Sequence, residues 1–176
     1  ATNALGGKAT RKEITVWLSG KTNGPSMSVL VYLPNGAKQP VPAFLGMNFG
    51  GNHTVSTDPG IRLSDRWTPG GKNSCVISNR ATEACRGSEA SRWPVEKILA
   101  HGYALATVYY GDIDPDFLGG IPHGVRALYL KPGQSEPAPN EWGAIAAWAW
   151  CGLPWTPLWY CFPRLFPISP KNCGPI

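Results

Sequence analysis

The residue types that come closest to a reactive site lie in one stretch, Phe44-Leu45-Gly46-Met47-Asn48-Phe49-Gly50-Gly51-Asn52-His53. An apolar run ends there in a Gly-Gly turn, and in an open α/β sheet ligands bind beyond the carboxyl ends of the strands. Backbone N–H groups at such a turn approach a developing oxyanion closely, the requirement of acyl transfer. Gly50, Gly51 and Asn52 are therefore the oxyanion-loop candidates. The plainer alternative is a glycine turn that only closes a strand.

No nucleophile accompanies them. A G-x-S-x-G elbow would present a serine on a strand–turn–helix bend, and the sequence contains none. Ser88 and Ser91 follow a loop rather than an apolar strand, and the spacing of His53, His101 and His123 does not join either into a triad. No catalytic residue is assigned. Asp112-Ile113-Asp114-Pro115-Asp116 invites a cation, but an EF-hand loop needs Gly sixth and Glu twelfth, where Phe117 and His123 stand. A turn-forming loop held by bonds from Asp side chains to backbone is expected instead. Without a C-x2-C pair or an H-x3-H partner, zinc is not expected either.

Cys75 and Cys85 lie ten residues apart. In a secreted protein they could staple the loop between them, contributing about 2–3 kcal/mol. Arg62, Arg66, Arg80, Arg86 and Arg92 lie in or beside the same loop. Their guanidinium forks match carboxylates, so they could draw in an acidic substrate such as a uronate. Arg86 and Arg92 are the substrate-loop candidates.

The elements that must position these residues follow from pattern. Lys12–Leu18, Ser28–Leu33 and Val41–Met47 read as strands punctuated by Asn23-Gly24-Pro25 and Pro34-Asn35-Gly36. The third is almost wholly apolar, which predicts cover on both faces. A long loop from about Asn48 to Ser88 leads to a helical pattern over Glu89–His101, capped at Ser88 or, because of Pro94, at Ser91 or Arg92. Tyr103–Tyr110 reads as a buried strand. Asn140 is the cap candidate of an Ala/Trp-rich helix over Glu141–Trp150. Strands alternating with helices predict a mixed α/β sheet covered on both faces.

Composition bounds the alternatives. The 176 residues are 43% hydrophobic and 15% charged, which excludes a charge-driven disordered chain. No apolar run approaches the ~20 residues of a membrane-spanning helix, so no membrane partner is expected. The 21 Gly and 18 Pro show no period, which excludes collagen. The net charge of +5 is spread over single basic residues. That is not the footprint of a nucleic-acid binder. The chain starts at Ala1 without a charged-then-apolar leader; a removed signal, a fragment or a trimmed chain is expected.

Four strings carry a resemblance: PAFLGMNFGGNHTV (Pro42–Val55), RGSEASRWPVE (Arg86–Glu96), GYALATVYYGDIDPD (Gly102–Asp116) and EWGAIAAWAW (Glu141–Trp150). Together they resemble bacterial glucuronoyl esterases, carbohydrate esterase family 15, over roughly residues 12–150. The resemblance implies an α/β-hydrolase fold and a serine-type hydrolase with a Ser, His and Glu/Asp triad. It implies cleavage of the ester between xylan glucuronate and lignin alcohols, with no metal or organic cofactor, in a secreted or periplasmic enzyme. In the family the triad follows the Trp-rich helix. Here the pattern is left at about Cys151–Leu153, so no triad position carries over.

The expected fold is thus an incomplete α/β-hydrolase-type sheet, its front half formed by residues 1–150, with an irregular Pro/Trp/Cys-rich tail over 151–176. That tail holds six prolines and three cysteines and no Asp or Glu. It reads as a candidate out-of-frame segment: codons for Ala-Val-Asp, shifted by one base, give Pro-Trp-Thr, as at Pro154-Trp155-Thr156. A half-sheet predicts an exposed edge along the Tyr103–Tyr110 strand and an exposed face on the Trp142–Trp150 helix, and hence self-association.

Overall fold

The computed structural model describes residues 1–37, 40–71 and 74–152. From Leu153 onward the tail, and with it the frameshift reading, lies outside the described residues. The elements run β1 (Ala9–Trp17), β2 (Ser26–Pro34), β3 (Ala43–Asn48), the two-residue strands β4 (Val76–Ile77) and β5 (Arg80–Ala81), α1 (Val95–Ala100), β6 (Ala104–Tyr109), α2 (Tyr110–Ile113) and α3 (Ala144–Gly152). Four strands form the main sheet in the order β1-β2-β6-β3, while β4 and β5 make a small separate hairpin. β1 and β2 are antiparallel, with Ile14 opposite Val29. β2 and β6 are also antiparallel, and β3 runs parallel to β6 with Leu45 opposite Ala106.

Alternation along the strands sorts two cores, because successive side chains point to opposite faces. Val29 and Val31 of β2 join Ala106, Val108, Ile113, Ala147 and Cys151 on one face, beneath α3. Leu30, Tyr32 and Leu105 join Val55, Val95 and Leu99 on the other, beneath α1. This is the mixed α/β sheet the sequence predicts.

Two expectations about its edges are corrected. β6 is not an edge: all six of its residues are buried between β2 and β3. Among the described residues β3 is the edge, and they do not cover it on both faces, since Phe44 is 54% and Leu45 45% exposed. The crossover from β3 through α1 returns the chain inside β3 rather than outside it. Local pattern carries no information about that choice.

Helix starts are corrected too. α1 begins only at Val95 after Pro94, because the Gly87 and Glu89 N–H groups are tethered to the carbonyls of His53 and Thr54. Pro94 further disfavours a helical Trp93. Asn140 does not cap α3. Its neighbour Glu141 instead clamps the preceding loop, accepting from the Ala138 N–H at 2.7 Å and from Lys131 Nζ at 2.6 Å. α3 then extends past Trp150 to Gly152, with Cys151 buried against Met27.

The acidic stretch after β6 is not a loop of local turns. Residues 110–113 are helical and both Asp112 and Asp114 are buried. Asp114 receives a two-pronged bond from Arg126, 2.9 Å from Nε and 2.7 Å from Nη2, and its carbonyl accepts Trp148 Nε1 at 2.8 Å. One residue thus ties α3 and the turn at Val125–Tyr129 to the end of β6. Replacing Asp114 with Ala leaves Arg126 without its partner in a dry site, so stability should fall by about 3–5 kcal/mol. Replacing Glu96 of the exposed Lys8–Glu96 pair should cost well under about 1 kcal/mol. Urea unfolding of the two variants checks the contrast.

Candidate active site

β3 ends on a polar residue in an otherwise apolar strand, Asn48, and that side chain organises the carboxyl edge of the sheet. Asn48 Oδ1 accepts the Gly51 N–H at 2.8 Å, while its Nδ2 donates to Asn52 Oδ1 at 2.7 Å and to Thr107 Oγ1 of β6 at 3.1 Å. Asn52 Nδ2 donates to the Ser28 carbonyl at 2.8 Å, and the Ser28 N–H donates to Asp112 Oδ2 at 2.9 Å. The chain of bonds therefore runs from the Gly-Gly turn across β3, β6 and β2 to α2. Gly51 takes φ 103° and ψ 152°, a conformation close to glycine-only.

Beside this network lies a polar cavity of about 20 Å³, lined by Ser28, Asn52, Arg62, Arg66, Tyr109 and Asp112 among others. It has room for about one water and none for a sugar ring. Arg66 Nε stands 3.8 Å from Asp112. Burial nevertheless dominates and pushes the Asp112 carboxyl up to about 6, against the Ser28 N–H and the Arg66 and Arg62 charges, which favour the carboxylate. A second depression, of about 300 Å³, lies on the α1 face and is lined in part by Val55, Thr57, Trp93, Pro94 and Lys97.

The sequence-predicted residues separate in space. Gly50, Gly51 and Asn52 are at the carboxyl edge as expected, but the Gly51 N–H and the Asn52 side chain are occupied by internal bonds. Arg86 does not reach that edge. Its guanidinium donates to Glu83 at 2.8 and 2.9 Å and to the carbonyls of Ile61 and Asp58, so it clamps the loop instead of awaiting a ligand. Arg92 is exposed, 3.8 Å from Glu89. Cys75 and Cys85 are joined by a disulfide. Ser88 and Ser91 are exposed. Among the described residues no hydrogen bond links either to a histidine, and no group of three His, Cys, Asp or Glu converges.

His53 is fully buried, and neither ring nitrogen has a hydrogen-bond partner among the described residues. Burial, helped by Arg86 and opposed by Glu83, lowers its pKa to about 4, so the imidazole is neutral near pH 7. It packs against the Gly51 turn: a Cβ on Gly51 would meet His53 Cε1 at 2.6 Å. The sequence assigns no site role to Asn48, Ser28 or Tyr109, and it reads Asp112 as part of a turn-forming acidic loop rather than as a member of this network. Only Asn48, the polar end of an apolar strand, carried a signal that points to the site.

Comparison with known proteins gives a consistent answer. No protein-family model matches the chain. "Carbohydrate esterase MZ0003", from an unknown prokaryotic organism, is 47% identical over 147 residues, which is 83% of this chain and 34% of that protein. The structure of a glucuronoyl esterase from Solibacter usitatus superposes with a TM-score of 0.79 at 51% identity, covering 90% of this chain and 39% of its own. A promiscuous CE15 esterase from the marine bacterial metagenome superposes with a TM-score of 0.75 at 43% identity, over 93% of this chain and 40% of its own. The chain therefore spans about a third of the curated relative and about two fifths of the solved ones.

Two measurements test the site. Gly51→Ala should destabilise the chain by about 1–3 kcal/mol, from the disfavoured backbone conformation and the clash with His53, read by urea unfolding. Acidification tests the buried titratable groups. The lowered pKa of His53 gives a stability contribution that is whole above pH 6.5 and lost as pH falls through about 4. The raised pKa of Asp112 gives one that is whole below pH 3.8 and lost as pH rises through about 6. The two oppose each other between about pH 4 and 6. His53→Leu should flatten the acid loss of stability and Asp112→Asn should steepen it, in unfolding midpoints compared at pH 7 and 4.5.

Proposed function

We propose, the chain being a relative of the CE15 glucuronoyl esterases in their N-terminal portion, that it forms the substrate-facing front half of a carboxylic ester hydrolase. The substrate class is the glucuronate ester that links glucuronoxylan to lignin, and the working location is outside the cytoplasm, which the Cys75–Cys85 disulfide supports. The observation that carries the reading is 51% identity at a TM-score of 0.79 to a glucuronoyl esterase over 90% of this chain. The Gly50-Gly51 turn at the carboxyl edge, held by Asn48, supports a role in shaping the oxyanion end of the cleft.

The chain by itself is read as catalytically incomplete, because among the described residues no hydrogen bond joins Ser88 or Ser91 to a histidine ring and both His53 ring nitrogens are unpartnered. Purified chain should turn over neither benzyl glucuronate nor a simple aryl acetate above the buffer rate. Turnover of the glucuronate ester would place a nucleophile within these 176 residues, with Ser88→Ala and Ser91→Ala the first variants to make. A chimera carrying residues 12–150 in place of the matching part of the Solibacter usitatus enzyme should hydrolyse benzyl glucuronate. A folded but inactive chimera would overturn the proposal.

A further inference from the structure

The depression on the α1 face, about 300 Å³ in volume, shares no lining residue with the polar cavity beside Asp112. Two segments form its walls: residues 55–57, which leave the glycine turn, and residues 93–97, which run into α1. The fold holds the two together. The Gly87 and Glu89 N–H groups donate to the carbonyls of His53 and Thr54, each at 2.9 Å. Trp93 is fixed as well. Its backbone N–H donates to the Glu89 carbonyl at 3.2 Å, and its ring leans on β3, where a Cβ on Gly46 would meet Cη2 at 3.0 Å. The depression is therefore formed before any ligand arrives.

Its lining is mixed. Leu5, Trp93 and Pro94 supply apolar surface, while Thr57, Glu96 and Lys97 supply polar groups at exposed positions. Among the described residues the Trp93 Nε1–H and the Thr57 hydroxyl that line it make no hydrogen bond. Glu96 spends one carboxylate oxygen on Lys8, at 2.6 Å, and keeps the other.

That chemistry discriminates among ligands. One carboxylate and one ammonium cancel, so nothing in the lining selects an anion. A single carboxylate is too few for calcium, which takes about six to eight oxygens. A wholly apolar ligand would bury polar groups without partners. A pyranose ring suits both halves of the lining. Its C–H face takes apolar surface out of water against the indole and the proline, and its hydroxyls meet the N–H, O–H, ammonium and carboxylate groups at the rim. The volume stands at the lower end of small-ligand pockets, about 300–1,000 Å³, and holds about one such ring.

We infer that this depression is a binding site for a neutral pyranose unit of a polysaccharide chain, with Trp93 and Pro94 beneath the ring and Thr57, Glu96 and Lys97 at its hydroxyls. Taking that chain as xylan rests on the functional reading above; the site itself does not.

The test titrates the full chain with xylotetraose and, separately, with cellotetraose, reading the amide signals of residues 55–57 and 93–97 by NMR. Xylotetraose should shift them saturably, with an affinity unchanged between low and high salt because no net charge is engaged. Trp93→Ala should weaken binding about tenfold, the order expected when an aromatic contact and its buried area are both lost. Trp93 also braces β3, so two exposed changes that should leave the chain folded give a second reading. Thr57→Ala and Lys97→Ala should each weaken binding about threefold. Ile77→Asp, at an exposed site on the β4–β5 hairpin, should leave it unchanged. Saturable binding of cellotetraose alone, weakened by the same variants, upholds the site while counting against xylan in the functional reading. No saturable shift with either sugar, binding indifferent to Thr57→Ala and Lys97→Ala, or an affinity that falls with salt overturns the site.

Discussion

The carboxyl end of this sheet depends on one buried amide. Asn48 gives its carbonyl to the Gly51 N–H and its NH2 to Asn52 and Thr107, and through Asn52 it reaches Ser28 and then Asp112. Buried polar groups are tolerable only when paired, and here every link satisfies the next. The glycine turn, the start of β2, the end of β6 and α2 are consequently fixed relative to one another by a single connected network. The Gly51 N–H and the Asn52 amide are spent within this network, so its part is to fix the turn rather than to offer free donors.

The two faces of the sheet are secured by different means. Beneath α1 the cover is mostly aliphatic, with Val95 and Leu99 set on Leu30, Tyr32 and Leu105. Beneath α3 it is aromatic and anchored by charge: Trp148 crosses Tyr110 edge-on, and its indole N–H donates to the carbonyl of Asp114, the residue that grips Arg126. A nine-residue helix of Ala and Trp has little polar surface to orient it, so the Asp114 anchor sets its position. The long loop after β3 is held in the same manner by specific bonds, through Arg86 on two carbonyls and the disulfide at its base.

That division of labour changes how the charged residues of the loop are read. An arginine beside a suspected cleft suggests a substrate carboxylate, but Arg86 spends its donors on Glu83, Asp58 and Ile61. Arg66, by contrast, lines the small polar cavity with Asp112. The cavity is itself too small for a sugar, and among the described residues nothing pairs with the outer edge of β3.

Much of this was legible in the residues themselves. Loose alternation in Lys12–Leu18 and the apolar runs at Ser28–Leu33, Val41–Met47 and Tyr103–Tyr110 located the strands, because side-chain direction in a strand is set locally. The four strings ending at Trp150 located the relatives. Punctuation by Gly and Pro placed the turns, and the Gly50-Gly51 turn fell at the strand end where pattern put it. Strand order, however, is a choice among arrangements with the same local pattern, so the sequence alone placed the open edge on the Tyr103–Tyr110 strand, whereas among the described residues it is β3 that lies at the edge. The partners of Asp112 and Asp114 lie 84 and 12 residues away, and a carboxylate's type does not reveal whether it will be solvated or buried. Local forces therefore set the elements and the candidate turn. Long-range hydrogen bonds and the crossover of β3 into β6 set which residues meet, because those depend on contacts that exist only once the sheet has formed.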